Sequence, residues 1–242
     1  MSVSIAAEIF KAYDIRGIVD VTLTEEAVYH IGLAIAARAR DLGVTDIAIG
    51  RDGRLSGPTL LACLADALQD GGLNVTDVGM VATPMLYYAA HTLTQGSGVM
   101  LTGSHNPPQY NGLKMMLAGT TLSGGSIQDL YQAIVAGKAT TAAQRGSFSR
   151  ADVANEYRER IQSDIQLARP MNIVIDAGNG VAGAYAGDVY RALGCSVTEL
   201  FCEVDGTFPN HHPDPAKPAN LQDLIHALQT SDAEIGLAFD GD

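Results

Sequence analysis

The stretch Ile47–Val78, IAIGRDGRLSGPTLLACLADALQDGGLNVTDV, sets the architecture. Ile47-Ala48-Ile49 is a short apolar run and reads as a strand. It runs into Gly50-Arg51-Asp52-Gly53-Arg54, a turn punctuated by two glycines. Pro58 suits the first helical position, where a missing N–H costs nothing. Leu60, Leu61, Leu64 and Leu68 then form an apolar helical stripe, which reads as core packing. Gly71-Gly72 stops the helix, and a strand through Val75 and Val78 follows. Strand, turn, helix and strand in alternation are the signature of an α/β fold.

Outward from this unit the same scheme recurs. Ile173–Leu200, IVIDAGNGVAGAYAGDVYRALGCSVTEL, again runs strand, Asp/Gly turn, helix and strand. Both copies end alike, in Val75-Thr76-Asp77-Val78 and Val197-Thr198-Glu199-Leu200. A third start follows, with a helix around Leu221–Leu228 and a strand over Ile235–Phe239. Repeated α/β units of one design are therefore expected. Upstream, Thr24 can cap a helix carrying Val28, Ile31, Ala34 and Ile35, with Leu23 and Val28 as its hydrophobic staple. Thr83-Pro84 opens another helix, and Val99-Met100-Leu101 reads as a buried strand. The segment from Ala136 to Ser149 is small, polar and poor in large apolar residues, so it marks a domain boundary. A polar helix around Asn155–Ile165 comes next. Residues 203–219 hold four of the nine prolines and read as an extended connection.

Composition narrows the function. Of 242 residues, 47% are apolar, enough for a sizeable core. Acidic residues outnumber basic ones 27 to 15, giving a net charge of −12. Partners such as nucleic acid or an anionic membrane call for a positive field, so neither is expected. No run approaches the ~20 apolar residues of a membrane span. Glu8, Lys11 and Asp14 interrupt any signal-peptide layout. Cys63, Cys195 and Cys202 form no CxxC pair and read as free thiols of a reducing cytoplasm.

Chemistry concentrates in Thr102–Lys114, TGSHNPPQYNGLK. A serine follows a flexible glycine just beyond a buried strand, and Pro107-Pro108 stiffens the exit. His105, Asn106 and Lys114 add an acid/base group, a neutral donor and a cation. In an open α/β sheet such a loop lies at the carboxyl end of a strand, where ligands bind. A solvated serine on an Asn-Pro turn is the alternative. Elsewhere, Gly178-Asn179-Gly180-Val181-Ala182-Gly183 satisfies GxGxxG between a strand and a helix, with Glu199 suitably spaced. That loop offers a NAD(P)-dependent oxidoreductase as the rival function. His211-His212 beside Asp214 could suggest a metal, but adjacent histidines on an extended segment diverge, so structural roles are expected.

The string TGSHNPPQYNGLK resembles the phosphoserine loop of the α-D-phosphohexomutases, closest to the bacterial bifunctional phosphomannomutase/phosphoglucomutase branch. Five further strings resemble that family in the same order: Phe10–Gly17, Gly50–Pro58, Asp176–Gly180, Phe208–Pro215 and Phe239–Asp242. The resemblance spans the whole chain. It implies repeated three-layer α/β/α domains with mixed sheets, two of the family's four, over residues 1–148 and 149–242. It implies reversible interconversion of hexose 1-phosphate and hexose 6-phosphate, with mannose and glucose phosphates as substrates, through a hexose 1,6-bisphosphate. Ser104 would carry the phosphoryl group. Lys114, Arg16 and His105 would serve catalysis, and Tyr13, Arg16 and Lys114 would bind substrate. One Mg²⁺ would be held by Asp240, Asp242 and the phosphate on Ser104, with a further family aspartate lying past position 242. Arg51 and Arg54 read equally as surface or inter-domain ion pairs. A cytoplasmic monomer is expected, and the chain by itself is expected to be inactive or nearly so as a mutase.

Overall fold

Helix formation starts where the sequence provides a cap. The computed structural model describes residues 5–242. After β1 (Ile15–Ile18), α1 spans Glu25–Asp41, and Thr24 Oγ1 accepts a hydrogen bond from the Ala27 N–H at 3.1 Å. That bond satisfies one of the donors a helix start leaves free. Leu23 and Val28 on either side of the cap are fully buried, as a staple requires. β2 (Asp46–Arg51), α2 (Gly57–Asp70) and β3 (Asn74–Met80) form the first βαβ unit, with β2 and β3 parallel from Asp46 opposite Asn74. Pro58 lies in the first turn of α2. Then come α3 (Thr83–Leu93), β4 (Gly98–Leu101), β5 (Tyr110–Leu117), β6 (Thr120–Thr121), α4 (Gly125–Val135) and β7 (Phe148–Arg150).

These strands make one mixed sheet in the order β1-β5-β4-β2-β3-β7, with β6 paired to β5. The run β4-β2-β3-β7 is parallel, while β5 is antiparallel to both β4 and β1. Strand alternation divides the core into two layers. Ile47, Ile49, Val99, Leu101, Leu113 and Met115 join a cluster with residues of α1, α2 and α4. Ala48 and Met100 face the other way, against Met85, Leu86 and Ala89 of α3. Helices thus cover both faces of the sheet.

The second unit contains α5 (Ala154–Asp164), β8 (Asn172–Asp176), α6 (Ala186–Ala192), β9 (Ser196–Leu200), α7 (Gln222–Thr230) and β10 (Ile235–Ala238). Its sheet runs β10-β8-β9, parallel throughout. The repeat read from the sequence holds in space, since β8-α6-β9 repeats β2-α2-β3. However, α6 has seven residues where α2 has fourteen. A 3₁₀ turn over Val181–Ala184 replaces the opening of the helix. There Gly183 runs against the Cys202 backbone, and a Cβ at that position would lie 2.2 Å from the Cys202 carbonyl oxygen.

The polar segment before residue 149 is tied down. Ala142 and Gly146 donate backbone N–H groups to Asp70 and Gln69, and the Arg145 guanidinium bridges Asp66 and Asp70 on α2. β7 lies across the 148/149 division that the resemblance implies, and its three rungs pair with β3 of the first sheet. All three cysteines are free thiols. Among the described residues no helix is long and apolar enough to cross a membrane.

Two substitutions grade these contributions in urea unfolding followed by far-UV circular dichroism. Leu64→Ala empties a fully buried position of α2 and is expected to cost about 2–5 kcal/mol. Thr24→Ala removes only the α1 cap and is expected to cost about 1 kcal/mol.

Candidate active site

β4 delivers the chain into the Ser104 loop, and the loop's shape follows from one buried ion pair. Asp52, just past β2, accepts hydrogen bonds on Oδ2 from Thr102 Oγ1 at 2.9 Å and from the Gly103 N–H at 3.2 Å. Its Oδ1 accepts the Arg54 N–H at 3.0 Å. Arg54 is only 1% exposed. Its Nε donates to Asp52 Oδ2 at 3.0 Å, and its terminal nitrogens donate to the carbonyls of Ser104, Asn106, Pro107 and Tyr110 at 2.6–3.0 Å. Gly103 has to be a glycine here, because a Cβ would lie 2.4 Å from the Arg54 guanidinium carbon. Burial pushes the Asp52 carboxyl up and the Arg54 guanidinium down, and their mutual attraction opposes both shifts.

Ser104 itself lies in the left-handed region, with φ of 50°. Non-glycine residues seldom occupy that region, and such strain clusters at functional sites. Its N–H donates to Thr102 Oγ1 at 2.8 Å, and its hydroxyl donates to Asp240 Oδ2 at 2.8 Å. Asp240 comes from the turn after β10, so the serine and its carboxylate partner belong to different units. Gly241 makes the approach possible, since a Cβ there would stand 2.5 Å from the Ser104 carbonyl oxygen. Asp242 turns aside. Its Oδ2 accepts from Lys114 Nζ and from Thr83 Oγ1, each at 2.6 Å, while its carbonyl accepts the Thr83 N–H at 2.8 Å. Burial and the neighbouring Asp242 charge push the Asp240 carboxyl up. Burial acts on Asp242 in the same sense, but the Lys114 ammonium and the Lys114 and Thr83 hydrogen bonds outweigh it and hold that carboxyl well below the usual range.

The remaining expected residues lie around this centre. Lys114 is on β5, a regular strand, not on the loop that precedes it. Gly112 and Lys114 share a face of β5, and Arg16 of β1 stands opposite Gly112, so Arg16 and Lys114 project on one side of the sheet. Arg16 Nε donates to Asp14 Oδ2 at 3.1 Å. His105 is half-exposed, with Nδ1 4.0 Å from Asp240 Oδ2. Tyr13 is 79% exposed. His211 and His212 do diverge: the first bonds the Asp176 carboxylate at 3.0 Å, and the second bonds the His105 carbonyl at 2.5 Å. Sequence reasoning missed the parts played by Asp52, Arg54 and Thr83. The only prior signal was an Asp-Gly-Arg turn directly after a buried strand.

For a cation, the available donors are the Asp240 and Asp242 carboxylates and the Ser104 side chain, all hard oxygens of the kind a hard divalent ion prefers. Among the described residues no group of three or more His, Cys, Asp or Glu side chains is arranged to hold a metal. The hard-oxygen donors at the centre are thus two carboxylates and the Ser104 oxygen, with Asp242 Oδ2 already bonded to Lys114 and Thr83.

Comparison with known proteins identifies the family. Residues 7–141 match the family domain described as phosphoglucomutase/phosphomannomutase, alpha/beta/alpha domain I, and residues 154–242 match domain II of the same family. The chain is 63% identical over 239 residues to a phosphoglucomutase of Neisseria meningitidis serogroup B, covering 99% of this chain and 52% of that one. It is 54% identical to a phosphomannomutase/phosphoglucomutase of Pseudomonas aeruginosa, covering 99% and 51%. A crystal structure of a phosphoglucomutase/phosphomannomutase family protein from Burkholderia thailandensis superposes with a TM-score of 0.94 at 49% identity, over 99% of this chain and 54% of that one. The chain thus spans about half the length of the curated relatives it matches.

The GxGxxG loop serves a different purpose from the one its pattern suggests. A Cβ on Gly180 would meet the Asp240 carbonyl oxygen at 2.9 Å, and Gly183 abuts Cys202. The loop leads into a 3₁₀ turn where the dinucleotide fold has a long helix. Calorimetric titration with NAD⁺ or NADP⁺ is accordingly expected to give no binding heat. Saturable binding at micromolar ligand would reinstate the oxidoreductase.

Proposed function

Taking as premise that the chain belongs to the phosphoglucomutase/phosphomannomutase family, we propose that it carries the phosphoryl-transfer centre of a hexose phosphate mutase. The substrates are the 1- and 6-phosphates of mannose and glucose. One observation carries the reading: a strained serine at the end of a buried strand, with its hydroxyl 2.8 Å from Asp240 and the Lys114–Asp242 pair alongside.

Phosphoryl transfer depends on positioning and charge neutralisation more than on covalent chemistry. Ser104, phosphorylated, gives its phosphoryl group to the free hydroxyl of a hexose phosphate. The bond from phosphorus to Oγ breaks, a bond to the sugar oxygen forms, and the hydroxyl proton leaves to a base. The hexose 1,6-bisphosphate then reverses its orientation and returns the other phosphoryl group to Ser104. Lys114 is the acid/base group on this reading, reached from its resting pair with Asp242. Arg16, on the same sheet face, meets phosphate oxygens. His105 borders Asp240, and the exposed Tyr13 meets the sugar.

Mutases of this family are generally metal-dependent. Mg²⁺ is the ion proposed here, held by Asp240, Asp242 and an oxygen on Ser104. When bound, it neutralises the charge of the transferring group. A phosphoserine brings about −1.5 to −2 charges next to Asp240, and Lys114 is already paired with Asp242. Cytoplasmic action on phosphosugars, as a monomer, completes the proposal.

Intact-mass analysis with peptide mapping of the full-length protein from an active preparation is expected to find one added phosphate, on Ser104. Ser104→Ala is expected to lower turnover by about a thousand-fold or more. A phosphate confined to another residue, or turnover untouched by the substitution, overturns the assignment. Chelation with EDTA is expected to abolish turnover in the same coupled assay, and Mg²⁺ to restore it. Full activity after exhaustive chelation removes the ion from the proposal.

A further inference from the structure

We propose that Arg54, anchored by Asp52 and covered by Phe208, is the positioning residue that aims the Ser104 hydroxyl at Asp240. The inference rests on the reading of Ser104 as phosphoryl carrier and extends it to residues that touch neither substrate nor metal.

Three observations carry it. First, all five guanidinium N–H groups of Arg54 are used, one on Asp52 and four on backbone carbonyls between Ser104 and Tyr110. One of the four is the carbonyl of Ser104 itself, at 2.7 Å. A planar fork of fixed donors thereby sets the peptide planes on both sides of the turn, which an ammonium with three donors cannot reproduce. Second, the strand side of the same turn is fixed by the same pair, because Asp52 takes Thr102 Oγ1 and the Gly103 N–H. Ser104 is thus held from both ends in its left-handed conformation.

Third, the remaining face of the guanidinium is closed by the proline-rich connector of the second unit. The Phe208 ring lies over it, with the Arg54 Cζ 5.3 Å from the ring centroid. That is cation–π geometry, strengthened by desolvation. Phe208 adopts φ of 53°, unfavourable for a phenylalanine, and so spends backbone strain on placing this ring. The same connector reaches the loop again through His212, whose Nε2 bonds the His105 carbonyl at 2.5 Å. The Phe208–Pro215 string therefore has a purpose apart from chelation. It couples the unit that supplies Asp240 to the arginine that orients Ser104.

The test uses the full-length enzyme and reads kcat, KM and the rate of phosphoryl uptake by Ser104 from hexose 1,6-bisphosphate, followed by intact mass. Arg54→Lys keeps the charge and loses the fork. It is expected to lower kcat and phosphoryl uptake about a hundred-fold with KM changed less than about three-fold, as misplacement of a reacting group does. Phe208→Leu keeps apolar bulk without the ring face and is expected to lower both rates about ten-fold. Phe208→Tyr, which retains the ring, is expected to recover most of that loss. Where Arg54→Lys fails to fold by circular dichroism, the Phe208 pair decides. A kcat within two-fold of the parent in Arg54→Lys or Phe208→Leu, or a loss expressed only in KM, overturns the positioning role. Ser104→Ala run alongside separates the two readings, since full activity in that variant removes the phosphoserine assignment, whatever Arg54 does.

Discussion

A guanidinium in a protein interior stabilises its surroundings only if every N–H finds an acceptor and the charge finds a partner. Desolvation otherwise exceeds the Coulombic gain. Arg54 meets both conditions, and it does so with the backbone of the loop that carries Ser104. The loop carbonyls supply the acceptors that a buried cation needs, and the cation ties four of them to one rigid group. The loop therefore has one favourable conformation, in contrast to the several a Gly- and Pro-rich surface turn usually samples. Stability and site geometry come from the same set of bonds.

The centre is also divided between two folding units. Ser104 and Lys114 come from the first sheet, and Asp240 and Asp242 from the turn beyond β10. Their distances depend on how the units are seated. That seating is fixed close to the site, by Thr83 at the start of α3 gripping Asp242 and by Tyr185 donating its hydroxyl to the Met80 carbonyl at 2.5 Å. The Tyr88 and Tyr157 rings also meet edge to face across the two units, at 5.7 Å.

The local rules of the chain were legible in the sequence. The Thr24 cap, Pro58 at the head of α2, the Gly71-Gly72 stop and the βαβ repeat each rest on neighbours within a few residues, and each is present. What the sequence concealed is what tertiary partners decide. β5 carries Asn111, Gly112 and Lys114 among its apolar residues, so it lacks clean alternation, yet it is a central strand because β1 and β4 flank it. The segment before β7 looks like a free linker by composition but is held by Arg145, whose partners lie more than seventy residues away. Arg54 looks like a surface charge because its acceptors are carbonyls, and a carbonyl leaves no trace in a residue's identity.

The same reasoning bears on how an acidic protein handles anions. On the proposed reading the substrates are anions, and this chain's net charge of −12 gives a long-range field that repels them. Attraction has to be local, from Lys114 and Arg16 projecting on one sheet face. Yet each already has a carboxylate partner, Asp242 and Asp14 respectively. The resting centre is therefore nearly neutral on its cationic side and has an excess of negative charge at Asp240. On the proposed reading an incoming phosphate competes for Lys114 and Arg16, and every cation it captures leaves a carboxylate without compensation. On the same reading Asp240 and Asp242 would hold a divalent ion, whose charge would relieve that excess. The excess is greatest when Ser104 is phosphorylated and a second phosphate has entered, since two phosphates and the carboxylates of Asp14, Asp240 and Asp242 then share the two side-chain cations Arg16 and Lys114.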